Sequence, residues 1–254
     1  MAFEQRGIRA VLFDLDDTLI SWERPLASRD AFYLPRVEKI HAYLTAGGHE
    51  IPPCNEFWDA INQAIMAMWA EAKNTLRITS LGRILEQLLV ELGLDTTRLD
   101  IDQVLRVLDW APMPGVELFP ETVPVLNDLR QKGFKTGLLT NSFVPMWMRD
   151  QELHAYGLVD LLDVRVSAAD VGFLKPHPAV YHDLLTRLDV SPEQAIFVGD
   201  RPANDIAGAN EVGLVSVLLR PPYLERDLDG VMPDYTIERL DELLPLVETL
   251  ARCD

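Results

Sequence analysis

Short, continuously apolar runs alternate along this chain with stretches of helical periodicity. Ala10-Val11-Leu12-Phe13 ends at Asp14, Gly137-Leu138-Leu139 ends at Thr140, and Ala195-Ile196-Phe197-Val198 ends at Gly199-Asp200. Leu214 to Leu219 is a further apolar run, interrupted only by Ser216. A run with no polar face fits a strand covered on both sides, as in a parallel sheet. Between the runs lie amphipathic stretches, Glu121 to Lys132, Met146 to Tyr156, Pro178 to Leu188 and Asp205 to Val212. Gly133, Gly157 and Gly213 fall where helices would end in a left-handed residue. This rhythm predicts an α/β fold, a doubly wound parallel sheet.

The rhythm breaks after the first run. From about residue 20 to 110 helical patterns dominate, for example Phe57 to Ala72 and Leu81 to Leu92, and no strand is expected there. The division this suggests is an α/β core formed by residues 1–20 and 112–254, with an inserted all-helical domain over 21–111. Its far boundary is the Pro/Gly-rich stretch Ala111-Pro112-Met113-Pro114-Gly115, suited to a hinge.

Charge narrows the list of partners. The 254 residues include 23 Lys+Arg and 40 Asp+Glu, a formal net charge of −17. Nucleic acid and anionic membranes, both recognised through Lys and Arg, are therefore not expected partners. A small phosphorylated molecule senses only the local field and stays possible. With 48% apolar residues the chain has material for a core. No run of about 18 apolar residues suggests a membrane span, and Met1–Arg6 lacks the apolar stretch of a signal peptide. Cys54 and Cys253 form no CxxC pair, so neither a disulfide framework nor a cysteine zinc site is expected. These features suit a soluble cytoplasmic protein and leave its oligomeric state open.

The chemistry concentrates where the apolar runs end. Ligands of open α/β sheets bind beyond the carboxyl ends of the strands. In the first such stretch, Asp14-Leu15-Asp16-Asp17-Thr18, residues two apart project to one side, so Asp14 and Asp16 can face a common site. Close carboxylates repel unless a cation lies between them or one holds a proton, and an oxygen-rich cluster suits magnesium; a polar turn with a capping Asp is the plainer alternative. Asp200 adds a carboxylate after a glycine that permits close approach, and Asp205 follows as an N-cap, a ligand or a support. Thr140-Asn141-Ser142 offers a hydroxyl, an amide and the N–H groups of a helix start, a natural phosphate site. Lys175, between Val171-Gly172 and Pro176-His177-Pro178, puts one cation at a restrained position.

In this order, FDLDDTL (Phe13–Leu19), LLTNS (Leu138–Ser142), VGFLKPHP (Val171–Pro178) and VGDRPANDIAGA (Val198–Ala209) resemble the haloacid dehalogenase (HAD) superfamily, in its phosphatase-like branch. PDYTIERLDELL is similar to that family's last strand and helix, and the helical insert to its helical cap. The resemblance implies a Rossmann-like core and a magnesium-dependent phosphatase acting on a small phosphorylated metabolite. It implies Asp14 as nucleophile, forming an aspartyl-phosphate, and Asp16 as general acid and then base. Thr140 and Lys175 would hold the phosphoryl group and Asn141 would touch substrate. The metal would be held by Asp14, Asp200 and the Asp16 backbone carbonyl, with Asp205 beside it. Alternatives within the resemblance are a sugar phosphomutase and a 2-haloacid dehalogenase, the latter disfavoured by Asp16, since a halide leaves without a proton. A non-catalytic phospho-ligand-binding module is the alternative from another class. In the insert, Trp22, Arg24, Arg77 and Arg83 are candidates to reach substrate, against plainer roles in packing or surface pairing. Trp58 and Trp69 read as core, and the five histidines show no metal spacing.

Overall fold

The computed structural model describes residues 7–251; Met1–Arg6 and Cys253 lie outside them. The four apolar runs and two further strands form a six-stranded parallel sheet, in chain order β1 (Ala10–Phe13), β4 (Lys135–Thr140), β5 (Val164–Ser167), β6 (Ala195–Gly199), β7 (Val215–Leu219) and β8 (Tyr235–Ile237). Their spatial order is β5-β4-β1-β6-β7-β8, with β1 paired to β4 on one side and β6 on the other. Within β1 the side chains alternate between two cores. Val11 and Phe13 join one with Leu138, Val198 and Val217, while Ala10 and Leu12 join the other with Leu139, Phe197 and Tyr181. All four residues of β1 are fully buried, the two-sided burial that removes any polar alternation from a parallel strand.

Helices cover both faces. α5 (Thr122–Gln131) and α10 (Leu243–Ala251) lie over the first core, and α8 (Pro178–Leu188) and α9 (Ala207–Val212) over the second. α6 (Met146–Ala155) and the short α7 (Ala168–Val171) follow β4 and β5. Gly133, Gly157 and Gly213 all have positive φ, as helix-terminating glycines should.

Between β1 and β4 the chain leaves the sheet. It passes through β2 (Ile20–Ser21), builds α1 (Arg29–Ala46), α2 (Cys54–Thr75), α3 (Leu81–Glu91) and α4 (Ile101–Arg106), and returns through β3 (Glu117–Leu118). Against the expectation of no strand between about residues 20 and 110, β2 opens that stretch and pairs antiparallel with β3, so the outgoing and returning chains form one small ribbon. These helices share a third core, including Val37, Phe57, Leu85 and Leu105, to which Phe143 and Val144 from the loop after β4 and Met148 of α6 also belong. At the return, Gly115 has φ +83°, and a Cβ there would lie 2.3 Å from the Arg24 carbonyl oxygen. Only glycine fits where the two crossings touch. Among the described residues no helix is long and apolar enough to cross a membrane.

One register detail tests this packing. Leu12 sits opposite Gly137, and a Cβ on Gly137 would come within 2.9 Å of Leu12 Cδ2 and 3.0 Å of Leu188 Cδ1. Leu12 therefore fills the space that the glycine leaves. Leu12→Ala is expected to lower unfolding free energy by about 2–5 kcal/mol, measured by urea denaturation; a loss under about 1 kcal/mol would contradict this packing.

Candidate active site

The carboxyl ends of β1, β4 and β6 converge, and the polar residues that end the apolar runs meet there. Leu15 is fully buried, so Asp14 and Asp16 on either side of it project away from that core. Their environments differ sharply. Asp14 is buried, its Oδ1 taking a 2.5 Å hydrogen bond from Lys175 Nζ. Asp16 is partly exposed, with Oδ1 accepting from Trp22 Nε1 at 2.7 Å and Oδ2 facing Arg149 Nη2 at 3.4 Å. The next residue, Asp17, has φ +62° and closes the turn. Its Oδ1 accepts from the Trp22 N–H and the Tyr223 hydroxyl.

Lys175 arrives from the segment between α7 and α8. Nζ also pairs with Asp205 Oδ1 at 2.8 Å and donates to the Leu139 carbonyl at 3.0 Å. Asn141 fixes its backbone, accepting from Lys175 N–H at 2.8 Å and donating to Lys175 C=O at 3.1 Å. Both ends of the Asn141 amide are thus engaged with the protein, which makes it a holder of Lys175. Thr140 Oγ1 is buried at the end of β4 without a hydrogen-bond partner.

Asp200 directly follows β6, and Asp205 comes from the π-turn Pro202–Ile206 after it. Asp205 Oδ2 accepts from the Arg201 N–H at 2.9 Å. A Cβ on Gly199 would lie 2.4 Å from the Asp205 carboxylate, so a glycine at the strand end is what lets that side chain fold back over the sheet. Asp200 Oδ2 is gripped by Arg226, through Nε at 2.6 Å and Nη2 at 2.5 Å, while its Oδ1 is buried without a partner.

One oxygen from each of Asp14, Asp200 and Asp205 lies within 4.8 Å of the others. Burial raises the Asp14 carboxyl well above the usual range, against the pull of Lys175, and repulsion from Asp205, Asp200 and Asp16 adds to it. Burial, then the charge of Asp205, pushes Asp200 up to about 7 despite Arg226. Burial opposes the charge on Lys175, but Asp14 and Asp205 outweigh it and hold the ammonium protonated. Three close carboxylates against one buried ammonium, with a bare oxygen on Asp200, form a donor set that a hard divalent cation fits.

Beside Asp16 opens a cavity of about 390 Å³ lined by Trp22, Phe32, Tyr33, Trp110, Asn141 and Arg149, among others. Arg149 is buried and pairs with Glu152 at 2.9 Å; the Trp110 indole N–H donates to the same Glu152 oxygen at 3.2 Å. Of the insert residues named as candidates to reach substrate, Trp22 lines this cavity and donates to Asp16. Arg24 and Arg83 are exposed and pair with Glu23 and Glu86, and Arg77 lies over the Phe173 ring. Trp58 and Trp69 are half-buried against the helical core, but Trp69, expected there alone, also lines the cavity beside Asp16. Arg149, Glu152 and Arg226 were not anticipated. The signal for the first two is a charged pair three residues apart on the apolar side of α6. For Arg226 it is a basic residue in the loop after β7, another strand end.

The haloacid dehalogenase-like hydrolase family profile matches residues 8–213. Glyceraldehyde 3-phosphate phosphatase of Methanopyrus kandleri is 29% identical over 249 residues, covering 96% of this chain and 99% of that protein. Among solved structures, the HAD phosphatase of Thermococcus onnurineus superposes with a TM-score of 0.62 at 26% identity, over 94% of this chain and 98% of that one. The 2-haloacid dehalogenase of Pseudomonas syringae pv. Tomato gives a TM-score of 0.59 at 27% identity, over 95% and 98%. With a profile match across four of the six strands of the sheet, the insert and all four strand-end motifs, this chain belongs to the haloacid dehalogenase-like hydrolase family.

Proposed function

We propose that this protein is a magnesium-dependent phosphatase that hydrolyses a phosphomonoester metabolite in the cytoplasm, with residues 21–111 serving as a cap over the site. The observation that carries the reading is the unlike pair Asp14 and Asp16: one buried on Lys175, the other facing the cavity. A dehalogenase needs the first carboxylate but has no use for a proton donor toward its leaving halide.

In the first half-reaction an Asp14 carboxylate oxygen attacks phosphorus, the bond from phosphorus to the ester oxygen breaks, and Asp16 delivers a proton to that oxygen, releasing the alcohol. In the second, Asp16 takes a proton from water, the water oxygen attacks phosphorus, and the acyl-phosphate bond breaks to return Asp14 and inorganic phosphate. Lys175 offsets the repulsion between the attacking carboxylate and the phosphoryl oxygens, and Thr140 has a hydroxyl free to donate to one of them. Asp14, Asp200 and the Asp16 backbone carbonyl, with Asp205 adjacent, would hold Mg²⁺, which when bound supplies further positive charge at the phosphoryl oxygens. The Asp16 side chain lies outside the three-carboxylate cluster, free for proton transfer.

Two outcomes follow. With Mg²⁺, purified protein should release phosphate from p-nitrophenyl phosphate and no chloride from 2-chloropropionate; Asp14→Asn should lower phosphate release by at least about 10³-fold. Chloride release, or full phosphate release by Asp14→Asn, would sink the reading. Separately, Mg²⁺ at about ten times its Kd should stabilise the fold by about 1.4 kcal/mol, a rise in Tm of about 3–5 °C in differential scanning fluorimetry. Asp200→Asn should lose that rise, and an unchanged rise would remove Asp200 from the metal site.

A further inference from the structure

A second cavity, of about 270 Å³, lies among the insert helices and is walled largely by aliphatic side chains such as Ile61, Ile65, Leu85 and Leu105. Protein interiors are close-packed, and voids larger than a water molecule are few. An apolar cavity of about 150 Å³ already admits benzene, so this one is more than a packing gap.

Its position is informative. Tyr33, Trp110 and Phe143 line both this cavity and the one beside Asp16. Trp110 is held in that shared wall by its hydrogen bond to Glu152, which pairs with Arg149, which faces Asp16. The aliphatic chamber thus lies directly behind the aromatic wall of the cavity in which a leaving-group oxygen at Asp16 would sit. The polar residues lining the chamber include Arg29 and Asp30, both exposed, and the half-buried Asn62.

Resting on the phosphatase reading above, we infer that the substrate alcohol carries an apolar body, aliphatic or aromatic, that occupies this chamber. A three-carbon polyol or hydroxy acid would leave it empty. Binding energy from a remote apolar group orients the phosphate for attack and raises kcat/KM.

The test is a series of ethyl, butyl and hexyl phosphate, with glyceraldehyde 3-phosphate and p-nitrophenyl phosphate alongside, assayed by phosphate release in Mg²⁺. Burial of each methylene is worth up to about fourfold, so kcat/KM should rise from ethyl to hexyl phosphate by at least about tenfold, and hexyl phosphate should exceed glyceraldehyde 3-phosphate. Leu85→Phe, which fills the chamber, should reduce the hexyl-to-ethyl ratio. Should that variant not fold, the wild-type ratio and tryptophan fluorescence on titration with hexylphosphonate, read through Trp58 and Trp110, decide the matter. A flat or falling series, with ethyl and p-nitrophenyl phosphate still hydrolysed, overturns the chamber and leaves the phosphatase reading standing. Loss of turnover on every ester overturns both.

Discussion

The buried ammonium of Lys175 is the interaction on which the site depends. It touches Asp14 and Asp205, which arrive from distant parts of the chain, and it also donates to the end of β4. Removing one partner of such a pair leaves an uncompensated buried charge, costing about 3–5 kcal/mol. Asn141 holds the Lys175 backbone, Gly199 makes room for Asp205, and the burial of Leu15 turns Asp14 toward the site. Each is a local device serving one electrostatic cluster. The cluster remains short of positive charge, as the raised carboxyls of Asp14 and Asp200 report, and a metal ion and a phosphoryl group would enter that arrangement together.

The acidity of the whole chain has a different meaning. A net charge of −17 is spread over a surface whose ion pairs are mostly exposed and worth little individually. Among the described residues, only Asp14, Asp200 and Asp205 form such a buried cluster. Bulk charge argues about partners; the burial of a few groups argues about chemistry.

The sheet was readable because parallel strands buried on both faces lack a polar alternation: β1 and β6 are continuous apolar runs, β4 holds Gly137-Leu138-Leu139, and β7 is broken only by Ser216. β5 was not readable: Val164-Arg165-Val166-Ser167 alternates at the sheet edge, where Arg165 pairs with Asp150. α1 fell only under the general helical reading of residues 20–110 and was not delimited, since Pro35 stands inside it. The strand-end polar residues could be named because topology alone brings strand ends together. Arg149, Glu152 and Arg226 could not, because their contacts depend on how a helix face and a long loop settle against the sheet. The chamber among the helices was equally hidden, for its walls read as ordinary helix core.

The central claim is that Asp14 is the nucleophile and Asp16 moves the protons. A p-nitrophenolate leaving group needs no proton, so Asp16→Asn should still be phosphorylated by p-nitrophenyl phosphate but should lack the base that activates water. Acid-quenched intact and peptide mass spectrometry of that variant during turnover should find one phosphoryl group accumulated on the peptide that carries Asp14. Turnover without such an adduct, or an adduct on another residue, would contradict the account.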